Sequence, residues 1–181
     1  MKLLALAALF AFLPACGGTN SAPVAPAAPT SATGNPLAPF VLAADPGEAT
    51  GVVDAKVGGA AERIVVQGRI AKIVKGYAVF TLTDLGLPYC GETTAEDSCK
   101  TPWDYCCEQP ATITANSLVV EVHGADGKPL AAATLGDLRL LDAVKVQGKL
   151  VKDENGNFVV TATGLFRSQR PQLPADLNWP Q

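Results

Sequence analysis

The chain has 181 residues, with 14 Lys and Arg against 17 Asp and Glu, and a net charge of −3. No basic run occurs anywhere along it. That removes the Lys/Arg patch that marks an electrostatic nucleic-acid footprint, so nucleic acid is not an expected partner.

The chain opens with MKLLALAALFAFLPAC, in which one positive charge, Lys2, precedes an apolar run from Leu3 to Leu13. A bilayer-spanning helix needs about 20 apolar residues, so this shorter run matches the core of a secretory signal instead. It ends in Leu13-Pro14-Ala15-Cys16, which resembles the bacterial lipobox. In that motif a small residue precedes a cysteine whose sulfur takes a diacylglyceryl group, and cleavage leaves the cysteine first. Ala15 and Cys16 match, whereas Pro14 is a less usual occupant. The alternative is an ordinary cleavage site with Cys16 incidental. The resemblance implies a lipoprotein signal peptide over 1–15, lipidation at Cys16, export, and a membrane as partner through the anchor. Two or more acyl chains anchor stably where one is marginal. Gly17 rather than Asp follows Cys16; in a host with two membranes, lipoprotein sorting rules then favour the outer one.

Residues 16–45 are Pro, Ala, Ser, Thr and Gly almost throughout, without charge until Asp45 and without an apolar period. Such a composition buries too little surface to offset the entropy of ordering it. Its prolines favour extended geometry. The segment predicts a disordered tether standing a domain off the membrane. The remainder is about 125 residues, the size of one domain, expected over 46–168.

Five strands are predicted within it. The first, Arg63 to Val74, is long and β-branched; Lys75-Gly76 turns the chain into the second, Tyr77 to Asp84, with Ala78, Phe80 and Leu82 on one side. The third, Ser117 to His123, points Leu118, Val120 and Val122 one way. The fourth, Ala143 to Lys152, points Val144, Val146, Gly148 and Leu150 inward. Asn155-Gly156 is a strong hairpin signal leading to the fifth, Phe158 to Arg167, with Phe158, Val160, Ala162, Gly164 and Phe166 on one face. The connection 124–142 has room for a short helix around Leu135 to Leu141. Val66-Gln67-Gly68-Arg69-Ile70 recurs as Val146-Gln147-Gly148-Lys149-Leu150. A glycine inside a strong strand marks a bulge or bend, and small barrels need such bends to close.

This strand order, with VVQGRI, GYAVFTLTD and LDAVKVQGKLV, resembles the OB-fold, in its anticodon-binding and helicase-associated branch, over about Ile64 to Phe166. The resemblance implies an all-β, five-stranded barrel with ligands across the second and third strands and their loops. Candidate contacts there are Tyr77, Thr81, Glu121 and His123, with Val79 and Val119, joined by Trp103 and Tyr105 from the adjoining segment. For the two aromatics, packing beneath that segment competes with ligand contact. The departure from the pattern is a long insertion, 85–116, between the second and third strands. Lipobox, Pro-rich tether, OB-like strands and TPWDYCCE together also resemble small exported bacterial proteins of uncharacterised role, which brings no activity with it.

The insertion holds Cys90, Cys99, Cys106 and Cys107. An even number of cysteines in an exported chain favours disulfides. Adjacent cysteines rarely bond each other, which leaves Cys90–Cys106 with Cys99–Cys107, or Cys90–Cys107 with Cys99–Cys106. Each would constrain a segment otherwise without regular structure. The rival is a metal site of these four with His123, for zinc or copper. The spacing is poor for structural zinc, which prefers paired ligands two to four residues apart, and soft copper(I) tolerates it better. A redox dithiol is the third alternative, although no Cys-x-x-Cys is present. Asp84, Glu92, Glu96, Asp97, Asp104 and Glu108 surround the segment against Lys100 alone.

No residue is read as catalytic and no cofactor is expected: there is 1 His, and no GxSxG, HExxH or P-loop. The expected role is a non-catalytic binding or scaffolding module for an envelope protein, peptide or glycan, with metal-binding or thiol-redox function as the alternative and nucleic-acid binding by fold analogy third. The tail 169–181 is proline-broken and predicted extended, with Trp179 free to dock.

Overall fold

The structure is a computed structural model that describes residues 34–94 and 99–177. The expected signal peptide, Cys16, the expected tether up to residue 33, Glu96, Asp97 and Trp179 lie outside those residues.

The described chain forms β1 (Thr50–Gly51), α1 (Val52–Gly58), β2 (Ala61–Ile73), β3 (Val79–Thr83), α2 (Pro110–Ala115), β4 (Ser117–Val122), β5 (Ala143–Lys152) and β6 (Phe158–Gln169). It is an all-β protein. Strands β2, β3, β4, β6 and β5 pair in that order, and β5 pairs back onto β2, closing an OB-fold-like barrel; β1 adds a short sixth strand beside β2. Every barrel pairing is antiparallel except β4 with β6.

Alternation places the core. Ala78, Phe80 and Leu82, Leu118, Val120 and Val122, and Val144, Val146 and Leu150 are all buried together inside the barrel, as their period of two demands. Both repeated glycines sit where strands crowd. A Cβ on Gly68 would stand 2.5 Å from the Thr83 carbonyl oxygen, and one on Gly148 would stand 2.3 Å from that of Thr161. The ladder slips register between Gln147 and Gly148, as bends of this kind require.

Three expectations need correction. In β6 the extra residue Thr163 reverses the facing, so Leu165 rather than Phe166 is buried and Phe166 is half-exposed. Among the described residues no helix forms between β4 and β5. Gly136 and Leu141 both adopt left-handed backbone, at φ 68° and 64°, which breaks any helix there. Two hydrogen bonds with Ile70, Leu141 N–H to its carbonyl at 2.7 Å and its own N–H to Asp142 O at 3.1 Å, hold that turn. Residues 34–45 are packed rather than disordered: Leu37 is fully buried, Val41 bridges Leu165 and Lys145 Nζ pairs with Asp45 at 2.7 Å. The tail is also tied down, because Arg170 binds buried Asp142 and Leu177 joins the core.

Candidate functional site

The insertion is pinched at its neck. Asp84 N–H donates to Asn116 O at 2.8 Å, and the Thr83 and Ser117 hydroxyls meet at 2.9 Å. Helix α1 secures both ends. Asp84 Oδ2 accepts the Val53 N–H at 3.1 Å, satisfying a donor in its first turn. Lys56 Nζ donates to the carbonyls of Thr114, Ala115 and Ser117 at 2.7, 3.0 and 2.9 Å, over the end of α2. Asp84 is thus a structural cap.

Arg69 leaves β2 on the outer face of the barrel and holds the front half of the insertion. Its guanidinium donates to Leu85 O and Leu87 O, both at 3.1 Å, and pairs with Glu92 at 2.5 Å. It also lies 5.3 Å over the Tyr89 ring. Glu92 in turn accepts the Tyr89 N–H at 3.2 Å, one residue before Cys90. Sequence reasoning placed Arg69 only as a strand position; its outward place beside the insertion depends on tertiary register.

The back half is fixed by aromatics. Pro102–Asp104 make one turn of 3-10 helix against β2, and Trp103 enters the barrel's core cluster. Tyr105 turns the chain with a left-handed backbone, φ 49°, and packs with Ala71 and Leu87 in a small second core. Burial pushes its phenol up to about 12. Trp103 and Tyr105 are therefore buried packing residues, one of the two roles weighed for them from the sequence. Trp103 still edges a cleft of about 460 Å³ with Lys72, Lys75, Asp104, Leu135 and Arg139.

These anchors bring the cysteines together. Cys107 Sγ lies 2.8 Å from Cys90 Sγ, and Cys106 Sγ lies 3.5 Å from both Cys90 and Cys99. The sulfurs of Cys90, Cys106 and Cys107 are all within 4.8 Å of one another. Cys90 is buried, Cys99 half-exposed, and Cys106 and Cys107 open to solvent. None of the four is crosslinked, so the expected disulfides are not formed in this structure. Burial pushes the Cys90 thiol up, but hydrogen bonds from the Cys107 thiol and N–H, and from Cys106 and Cys99, outweigh it and hold the group below its ordinary range. Cys106, engaged with Cys99 and then Cys90, is pushed up to about 11.

The other candidates stand apart. His123 follows β4 at its far end, about 20 Å along the strand from the insertion, and its Nε2 meets Glu121 at 2.7 Å. It is not a ligand to the cysteine group. Tyr77 is half exposed at the hairpin between β2 and β3; Thr81 and Glu121 lie half-buried on the outer barrel face, opposite Val119 and Val79. Of the acids near the insertion, Glu92 is spent on Arg69, and Lys100 pairs with Asp176 of the tail.

No family model matches this chain, and no curated protein matches it in sequence.

Proposed function

We propose that the protein is an exported, lipid-anchored, non-catalytic binding module of the cell envelope, and that the cysteine segment is its binding centre. The observation that carries this is the gathering of Cys90, Cys106 and Cys107, with Cys99 3.5 Å from Cys106, where Cys106 and Cys107 open to solvent, in a segment held by side chains from outside it. Arg69 and Lys56 spend five contacts on backbone and carboxylate of the insertion. A mere surface excursion needs no such clamp. The lipobox-like leader supports the anchor. The test is the intact mass of protein purified from native membranes. The expected chain begins at Cys16 and carries acyl groups; an unacylated chain recovered from the cytosol overturns the reading.

A second reading treats the segment as a stapled scaffold that presents the β3–β4 face to an envelope protein, peptide or glycan. Cys90 with Cys107 at 2.8 Å, and Cys99 with Cys106 at 3.5 Å, match one of the two expected pairings. Thiol titration before and after reduction separates the two: stapling predicts no titratable thiol until reductant is added.

A further inference from the structure

We infer that Cys90, Cys106 and Cys107, with Cys99 at their edge, bind one thiophilic d10 cation, Cu(I) or Zn(II), as thiolates, with Cu(I) the better match. This rests on the cysteine segment being the binding centre and names what it binds.

The sulfurs of Cys90, Cys106 and Cys107 gather within 4.8 Å of one another, and Cys106 also lies 3.5 Å from Cys99. A thiolate–metal bond of about 2.3 Å sets sulfur–sulfur edges near 3.8 Å. The Cys90–Cys106 separation of 3.5 Å lies close to that value, and the Cys90–Cys107 pair, at 2.8 Å, would part by about 1 Å to take the ion.

The surroundings are those of a ligand site. Behind Cys90 stands the relay Arg69–Glu92–Tyr89 N–H, which fixes the one buried ligand. In front, Cys106 and Cys107 face solvent and give an ion its entry path. The left-handed backbone of Tyr105, anchored by its buried ring, turns the chain so that both adjacent cysteines reach the same point.

Cu(I) is preferred on ligand chemistry. All donors are soft sulfur, and His123 is remote. Two adjacent donors strain a zinc tetrahedron, while Cu(I) accepts three sulfurs from Cys90, Cys106 and Cys107, with Cys99 beside them. Each coordinating thiol releases one proton to solvent, and the metal keeps its oxidation state.

The experiment titrates the full-length protein, reduced with a phosphine, in two arms, Cu(I) against a bidentate Cu(I) chelator and Zn(II) against a zinc indicator. Melting temperature and the thiolate-to-metal charge-transfer band are followed together. The expected result is one ion per chain, a raised melting temperature, and tighter retention of Cu(I). Cys107→Ser, at a solvent-exposed position that leaves no cavity, is expected to abolish stoichiometric binding without lowering the apo melting temperature. Arg69→Ala is expected to weaken binding about tenfold, with the conservative Arg69→Lys between it and the parent. Stoichiometric Zn(II) binding with the same Cys107 dependence also supports the site. Absence of binding in both arms overturns it, as does loading of several ions without a melting shift, or unchanged binding in Cys107→Ser. An acylated chain that fails both arms sinks this inference alone; a cytosolic chain that passes them sinks only the export reading.

Discussion

The hairpin β5–β6 and the insertion 85–116 are held by opposite means. In the hairpin, ten residue pairs from Ala143↔Gln169 to Lys152↔Phe158 share the ladder, and the same strands close against β2 and β4. No single side chain is indispensable for its path. In the insertion, among the described residues, the chain is held by side chains lent from elsewhere, chiefly Arg69, Lys56 and Asp84, and by two buried aromatics. Strength spread over a sheet keeps the barrel in one state. Strength concentrated in a few clamps leaves the cysteine rim able to adjust by the distance a bound ion would demand.

The sharpest way to break this contrast is to strike the barrel's centre. Phe80 is 1% exposed and packs inside the closed barrel. Phe80→Ala is expected to cost about 3–5 kcal/mol, lost transfer energy plus a cavity. Urea denaturation followed by far-UV circular dichroism and by thiol reactivity should then show both regions failing at one lowered midpoint. Separate transitions would mean that the insertion folds independently. The next largest effect is expected at the tail. Arg170 donates from Nε and Nη2 to Asp142, at 2.7 and 2.6 Å, and Asp142 is fully buried. Arg170→Leu strands that carboxylate without its cation, at a cost of about 3 kcal/mol. If the double variant with Asp142→Asn recovers most of the loss, the uncompensated charge is the cause.

The contrast also explains what was legible in the sequence. Strand alternation wrote the barrel directly: the inward residues of β3, β4 and β5 are those that period two selects, and the Asn155-Gly156 turn has the left-handed glycine, φ 86°, that such a hairpin uses. The slip at Thr163 was invisible, because a bulge conserves residue types while reversing their faces. Leu37 was invisible too: one apolar residue in a proline-rich stretch carries no period, yet it seats in the barrel core. Within the insertion the cysteines announced themselves by type and number, but not whether they would converge or on what. Their placement depends on Arg69, which reads as an ordinary strand residue until the register of β2 sets it beside the segment, and on Tyr105, which reads as a candidate ligand contact until its ring is seen packed against Ala71 and Leu87.

Arg69→Ala tests the clamp itself. Its side chain is 13% exposed and gives up two carbonyl acceptors and a carboxylate partner. Because the insertion is near solvent, water replaces much of what is lost, and global stability should fall by only about 1–2 kcal/mol. Limited proteolysis should then cut within 85–116 while leaving the barrel strands intact. A uniform loss of protection across the chain would show that Arg69 supports the barrel rather than the insertion.

The smallest expected effect is electrostatic, and it separates the same two regions by pH. Asp137, Asp45, Asp153 and Asp176 all sit below their ordinary 3.8, held there by hydrogen bonds from Arg167, Lys145, Asn157 and Lys100 respectively. Their folded values lie under the unfolded one, so their stabilisation is full above about pH 4 and is lost as the pH falls through the folded values. Asp45, Asp137 and Asp153 pin straps and turns around the barrel, while Asp176 alone ties the tail to the insertion through Lys100. All four are exposed at the surface, so each contributes little and salt should screen the ion-paired ones. Denaturation midpoints should be flat from about pH 7 to 5 and decline below about pH 4. Asp153→Asn, whose partners are neutral, should remove part of that decline even in high salt. Asp176→Asn should leave the midpoint where it is and instead raise thiol reactivity at neutral pH; a midpoint shift there as large as that of Asp153→Asn would mean that the tail braces the barrel and the insertion equally.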